Sequence, residues 1–313
     1  MASPHEQGQT SDTDSTSRVA AQDRVRIRVG FLFTLPWWLF ALAGLWIVTV
    51  ILIALDEQYS QIFMQLKEGI GLTLYLAFAA YIIALGIGLF VGIVRANRPT
   101  PPPHGTGAVK IARHAFHALL YNSLTLYVEF MRGIPTLVFL LIAGFIIVPA
   151  LRELINTQFV PVVRNLLNNP DIPELVWRGR DAGTAIAGLA LVYGAFLSEI
   201  FRAGIQSVEK GQIEAARSLG MTYLQTMNLV VIPQAVRRVL PPLGNDFVAM
   251  IKDTSLVTIL GVDEITQIAR RWSGSTFLYL QTYLVLSLIY LTMTILGSLL
   301  VQLLERVLRQ NER

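Results

Sequence analysis

The sequence has no cysteine, which excludes disulfides, thiolate metal sites and cysteine nucleophiles. Charge is scarce too. Only 15% of the 313 residues are Asp, Glu, Lys or Arg, against roughly 25% in ordinary soluble domains. Four histidines occur, one of them His5 in a polar tail, which leaves little from which to build a convergent enzyme site. His114 and His117 share a helix face, but no carboxylate cluster accompanies them, so no metal site is expected. No Gly-x-x-x-x-Gly-Lys segment is present, so the chain carries no phosphate-cradling loop of that type. The period-2 alternation that an outer-membrane barrel needs is missing as well.

What the chain has is apolar length. Hydrophobic residues make up 53% of it, and mean hydropathy is +0.54. A bilayer core about 30 Å thick asks for roughly 20 apolar residues per helix. Apolar runs at 31–55, 69–94, 118–151, 182–198, 239–262 and 272–304 meet or approach that need. A soluble enzyme, a disordered chain and a fibrous repeat are excluded. The expected fold is an all-α polytopic membrane helix bundle with six transmembrane helices. Residues 1–28 are polar, and the apolar run after them is too long for a signal-peptide core, so no cleavable signal peptide is expected.

Net charge is +4 and the pI is near 9.4. The basic residues fall between apolar runs rather than on one face, which points to a bilayer and away from nucleic acid. With the N-terminus inside, the inner segments hold sixteen Lys and Arg and the outer segments seven. That bias places both termini in the cytoplasm. Residues 1–30 then form a polar cytoplasmic tail. Residues 99–103 form an extended proline linker, and 152–181 an outer loop.

Ionisable residues inside spans are costly and usually face protein or water. Glu129 and Arg132, at i and i+3, are placed to pair, and so are Glu199 and Arg202. They read either as structural ion pairs or as a polar lining of a path. In the fifth span, Asp246 and Asp253 are seven apart on one stripe, with Asn245 and Lys252 beside it. That stripe reads as a wet path or as packing at a subunit contact. Pro241, Pro242 and Gly244 are expected to loosen the start of this helix. Gly88 and Gly92 form a small-residue face suited to close helix approach.

The polar stretch 203–238 contains good helix formers, then Gly220, then more helix, then a proline stop at Pro233. By physics alone it is a helix–turn–helix on the surface. Its residues, however, resemble the EAA loop of ABC importer permeases. Glu214-Ala215-Ala216 is followed by Gly220 at the family offset and then by Val230-Val231-Ile232-Pro233, with Val230 and Ile232 replacing the usual Ile and Leu. Further segments resemble polar amino acid permeases of the histidine/glutamine type. They are Glu129 to Pro135, Ser198 to Val208, Leu240 to Asn245, and Lys252-Asp253-Thr254-Ser255-Leu256. The resemblance covers about 69–309 and implies the ABC importer permease fold there, with 31–55 as an additional N-terminal transmembrane helix.

The resemblance implies a transport subunit rather than an enzyme. The loop 203–238 would dock as a coupling helix on a separate ABC ATPase, through Glu214, Ala215, Ala216, Gly220 and Pro233. ATP and Mg would be bound by that partner, and this chain would hold no cofactor. Other implied partners are a second permease copy or paralogue, an extracytoplasmic solute-binding protein and an amino acid substrate. The residues placed on the substrate path are Glu129, Arg132, Asn245, Asp246, Lys252, Asp253, Thr254 and Ser255. An ion-coupled secondary transporter, or an ABC permease for another small polar solute, remains as the alternative.

Overall fold

The computed structural model describes residues 37–102 and 107–310. The polar tail over 1–30, the first residues of the 31–55 run and His104 lie outside them. Among the described residues the regular structure is all helical. The chain divides into two compact units, 1–55 and 56–313. The first unit contributes α1, Trp37–Leu55, whose stretch Phe40–Leu55 is apolar but short for a span. Everything below concerns the second unit.

Helix α2, Glu57–Ala96, starts where Asp56 caps it. The Asp56 carboxylate accepts from the backbone N–H of Gln58 at 2.8 Å and of Tyr59 at 3.3 Å. Forty residues reach about 60 Å, roughly twice the hydrocarbon thickness, so the acidic first turns project beyond the apolar run. Three other helices are long and apolar enough to cross a bilayer. They are α4, Thr136–Leu166, α5, Ala182–Gln206, and α10, which runs Tyr279–Gln310. Between α2 and α4 lies α3, Ala108–Gly133. After α5 come α6, Lys210–Ser218, the single turn α7, Tyr223–Thr226, and α8, Ile232–Asp253. Helix α9, Ile265–Thr276, precedes α10. The expected fifth span corresponds to α8, which is too polar to qualify on hydropathy.

The third span differs from the sequence expectation of 118–151. Pro135 lacks an N–H and forces Ile134 into extended backbone (φ −108°, ψ 135°). Helix α3 therefore stops at Gly133, and α4 starts at Thr136 and continues to Leu166. Half of the expected outer loop 152–181 is thus helical. The rest of it is stitched to α4. Asn156 exchanges two hydrogen bonds with the Leu175 backbone, at 3.1 and 2.8 Å. Arg164 donates twice to the Ile172 carbonyl.

Three turns of these helices are widened to i→i−5 bonding: Ala143–Ile147, Ile155–Phe159 and Met227–Val231. One cause accounts for all three. Each wide turn is closed by a residue that immediately precedes a proline. Val148 N–H bonds the Ala143 carbonyl ahead of Pro149, Val160 the Ile155 carbonyl ahead of Pro161, and Ile232 the Met227 carbonyl ahead of Pro233. A proline ring inside a helix clashes with the carbonyl four residues back, and widening the turn relieves that clash. Pro233 is consequently no stop. It lies in the first turn of α8, and the helical path continues through it.

Pro241 and Pro242 lie inside α8 without unwinding it, contrary to the loosened start expected there. Neither proline has an N–H to donate to the carbonyl four residues back. The helix ends later, after Asp253, in a 3-10 segment Thr254–Leu260 closed by Gly261 at φ +72°.

The most extensive helix contact is between α2 and α5. Small residues set its distance. A methyl group on Gly88 would lie 2.7 Å from the Leu197 Cβ, and one on Gly92 would lie 2.7 Å from the Phe201 Cβ. Gly194 returns the favour against Ile87 at 2.7 Å. Without a hydrophobic drive between helices in lipid, such backbone approach supplies the packing. Glu264 fixes the far end of the bundle. It is fully buried and caps α9, accepting from the backbone N–H of Gln267 at 2.8 Å and Thr266 at 2.9 Å and from the Tyr290 hydroxyl at 3.1 Å. Burial pushes its carboxyl above the usual carboxylate range, against the pull of those hydrogen bonds.

Candidate functional site

The polar side chains of the bundle fall into three groups. The first sits where α2, α3 and α5 meet. Glu199 is its hub. The carboxylate accepts from Arg202 at 2.6 and 2.8 Å and from Arg95, and Arg132 approaches to 3.8 Å. Arg95 also reaches Glu129 at 3.7 Å and Thr125 at 3.4 Å. The Arg95 side chain is only 7% exposed, whereas Glu129 is 66% exposed. Glu199 and Arg202 pair as their spacing predicts. Glu129 and Arg132 do not pair with each other; both turn toward the α2–α5 contact instead.

Arg95 is the member that the sequence leaves just outside the 69–94 run, among the inner basic residues. A signal was present, since Gly88, Gly92 and Arg95 recur at i, i+4 and i+7 and share one helix face. The glycines bring that face against α5 at Ser198, which puts Arg95 over Glu199.

The second group is the α8 stripe. It divides into two faces. Asp246 and Asp253 are half-buried and turn toward α2 and α5, while Asn245 and Lys252 are exposed. The Tyr193 hydroxyl of α5 donates to Asp253 Oδ2 at 2.9 Å. The Tyr81 hydroxyl of α2 donates to the Leu243 carbonyl, and its ring stacks edge-on to Phe247 at 5.1 Å. Thr254 is fully buried, its hydroxyl donating to the Ile251 carbonyl at 2.7 Å, so it closes the helix rather than lining a surface. Ser255 is half-buried. Glu129 and Arg132 belong to the first group. Tyr193 and Glu199, which anchor the two groups, are six residues apart on α5, about 9 Å along its axis. Nothing local in the sequence marked Tyr193, whose role depends on α8 packing beside α5.

The third group is an elbow between α6 and α7, at the same end of the bundle as Arg95. The Gln206 amide donates to the Ala96 carbonyl at 3.4 Å and joins the two helix ends. Helix α6 ends in a Schellman turn. Met221 N–H bonds the Ala216 carbonyl at 3.2 Å and Gly220 N–H bonds the Arg217 carbonyl at 2.9 Å. Gly220 carries φ +81°, which glycine adopts without a Cβ penalty. Thr222 and Gln225 then form a capping box that starts α7. Ala216 is buried, and Glu214 and Ala215 are exposed. Leu219 is 84% exposed and Leu224 71%. The elbow is tied to α8 by the Gln234 amide donating to Gln212, and α8 to α5 by Arg238 donating to the Ser207 carbonyl.

Residues 109–310 match the family of binding-protein-dependent transport system inner membrane components. The chain is similar to the probable amino-acid permease protein YxeN of Bacillus subtilis (strain 168), at 32% identity over 251 residues, 80% of this chain and 94% of that one. It is also similar to the glutamine transport system permease protein GlnP of Escherichia coli (strain K12), at 30% over 241 residues, 77% and 91% of the two chains. Among solved structures, an amino acid ABC transporter with histidines superposes with a TM-score of 0.57 at 31% identity, over 80% of this chain and 95% of that one. The MetNI methionine ABC transporter in an inward-facing form gives 0.54 at 18% identity over 78% and 96%, a likeness of fold alone. With apolar helices of spanning length, a family match over most of the chain and relatives covered almost end to end, this multi-pass membrane protein belongs to the family of binding-protein-dependent transport system inner membrane components.

Proposed function

We propose that the chain is the permease subunit of an ATP-driven importer of polar amino acids. Two permease chains, this one with a second copy or a paralogue, enclose the path. Two ABC ATPase subunits bind on the cytoplasmic side, and an extracytoplasmic solute-binding protein delivers the substrate. Both termini and the elbow are cytoplasmic, as the excess of Lys and Arg at that end favours. ATP and Mg are handled by the partner ATPase, and this chain contributes no cofactor site. The printed names of YxeN, GlnP and the histidine-bearing transporter support amino acids as the substrate class.

One observation carries the coupling role. A bend built from a Schellman turn and a capping box holds out two leucines and the Glu214 carboxylate where none of the described residues covers them. Exposed apolar side chains on a polar segment fit a docking surface. Glu214 and Ala215 face the ATPase, Ala216 packs the elbow on its own bundle, Gly220 sets the bend, and Pro233 lies in the turn that joins the elbow to α8. On the path, Asn245 and Lys252 are the exposed members of the stripe and meet the solute first. Asp246, Asp253 and Ser255 stand behind them. Glu129 and Arg132, with the Glu199 hub, stand nearer the cytoplasm.

The test is Gly220→Val in the assembled complex. Open space surrounds Gly220, so the substitution acts through its left-handed backbone, at a cost of about 1–2 kcal/mol. Membrane insertion should be retained, while co-purified ATPase and uptake should fall together. Full ATPase stoichiometry with normal uptake would overturn the reading.

A further inference from the structure

A cavity of about 850 Å³ separates the elbow from the spans. Its walls come from six elements, represented by Ile93 of α2, Phe201 of α5, Ile213 of α6, Tyr223 of α7, Met227 of the wide turn, and Val239 of α8. The lining is overwhelmingly apolar. Interiors pack densely, and voids larger than a water molecule are few and small. This space opens partly to the surface, and most of its lining offers water few polar partners. It is of the volume that binds ligands.

Two observations select the occupant. First, the flank of α2 beside the cavity is apolar and exposed, with Leu89, Phe90 and Ile93 each about half accessible. Helix α2 is of spanning length, so this exposed apolar flank is suited to lipid. Second, the rim is cationic. Lys210, at the start of α6, lines the cavity, is exposed and forms no ion pair among the described residues. Its ammonium complements a phosphate. Of the rim amides, Asn97 donates to the Ile93 carbonyl and Gln206 is engaged by Arg202 and Ala96.

We infer that this cavity is a binding site for one acyl chain of an anionic phospholipid from the membrane leaflet beside the elbow, with its phosphate on Lys210. The site is distinct from the α8 stripe, whose polar side chains do not line it. Because the elbow forms one wall and the spans the others, an acyl chain there braces the elbow. That consequence, unlike the binding itself, rests on the coupling role proposed above.

The test uses the full chain in phosphatidylcholine nanodiscs doped with phosphatidylglycerol bearing a diazirine at the end of an acyl chain. Adducts are mapped after irradiation. Buried lining residues Val231, Ala235 and Val239 should be labelled, and so should lipid-facing Phe78 and Ile82. Replacing the probe by the same diazirine on phosphatidylcholine should reduce the buried adducts about fivefold, the factor one lysine contributes at an anionic surface, and leave Phe78 and Ile82 unchanged. Lys210→Gln should give the same loss with the glycerol probe. Val236→Trp, at a half-exposed wall position, should block the buried adducts while Phe78 and Ile82 still report an inserted chain. Labelling confined to Phe78 and Ile82, or buried labelling indifferent to headgroup and to Lys210, would overturn the assignment. Neither readout requires transport or an ATPase, so failure here leaves the coupling test standing.

Discussion

Arg95 and Glu199, 104 positions apart, share a part-buried ion pair where α2 crosses α5. The pair exists because Gly88 and Gly92 let the two backbones approach. Arg132 and Arg202 join the same carboxylate, so removing Glu199 leaves Arg95 only Glu129 and Thr125 and Arg202 only Gln206, whereas removing Arg95 leaves Glu199 with two guanidinium partners. We expect Glu199→Ala to destabilise the chain by about 1.5–3 kcal/mol, as the loss of charge-assisted hydrogen bonds at a part-buried site does, and Arg95→Ala by less. Thermal unfolding of the detergent-solubilised chain, followed by size-exclusion, checks the order. Equal and small losses would show the cluster to be solvated.

The hydrogen bond from Tyr193 to Asp253 links α5 to α8. Tyr193→Phe removes only the hydroxyl and should lower uptake while leaving the melting temperature close to that of the parent chain. Asp253→Asn should do the same. If the two side chains act through each other, the double variant will be no worse than the poorer single variant, with a coupling of about 1 kcal/mol. Additive losses would separate them.

Lys252 and Asn245 are exposed on a helix expected to lie within the bilayer. A lysine there belongs in water rather than lipid. The chain has no cysteine, so Lys252→Cys introduces a single thiol. In membranes it should react with a water-soluble thiosulfonate, and substrate should slow the reaction. Leu296→Cys, on an exposed apolar face of α10, should not react. An inert thiol at 252 would remove this face from the path.

Pro233→Ala restores the missing N–H and removes the ring clash behind the wide turn Met227–Val231. The turn should tighten to i→i−4 bonding. That shift rotates α7 and the elbow by about 100° relative to α8. Spin labels on cysteines placed at Leu224 and Arg237 should show a changed distance in Pro233→Ala and an unchanged one in Pro241→Ala, because Pro241 sits in an ordinary helical turn. No change in either variant would mean that the wide turn is held by packing instead of by proline.

The apolar runs, the elbow and the α2 glycine face are legible from residue order, because each depends on forces acting within a turn or two. A bilayer demands uninterrupted apolar length. A Schellman turn needs glycine at one place, and a capping box needs Thr222 three positions before Gln225. The wide turns rest on the same local force, a residue pair ending in proline inside a helical stretch, though Pro161 first read as part of a loop, Pro233 as a stop, and Pro149 lay unmarked within the 118–151 run. Tertiary structure alone decided which charges meet. Glu129 and Arg132 had the spacing to pair along one helix, yet both turn to α2 and α5, where Arg95 and Glu199 offer each an opposite charge. It also decided which half of the α8 stripe faces inward and which outward. That choice depends on Tyr81 and Tyr193 from helices more than fifty residues away, and no pattern within α8 encodes where they sit.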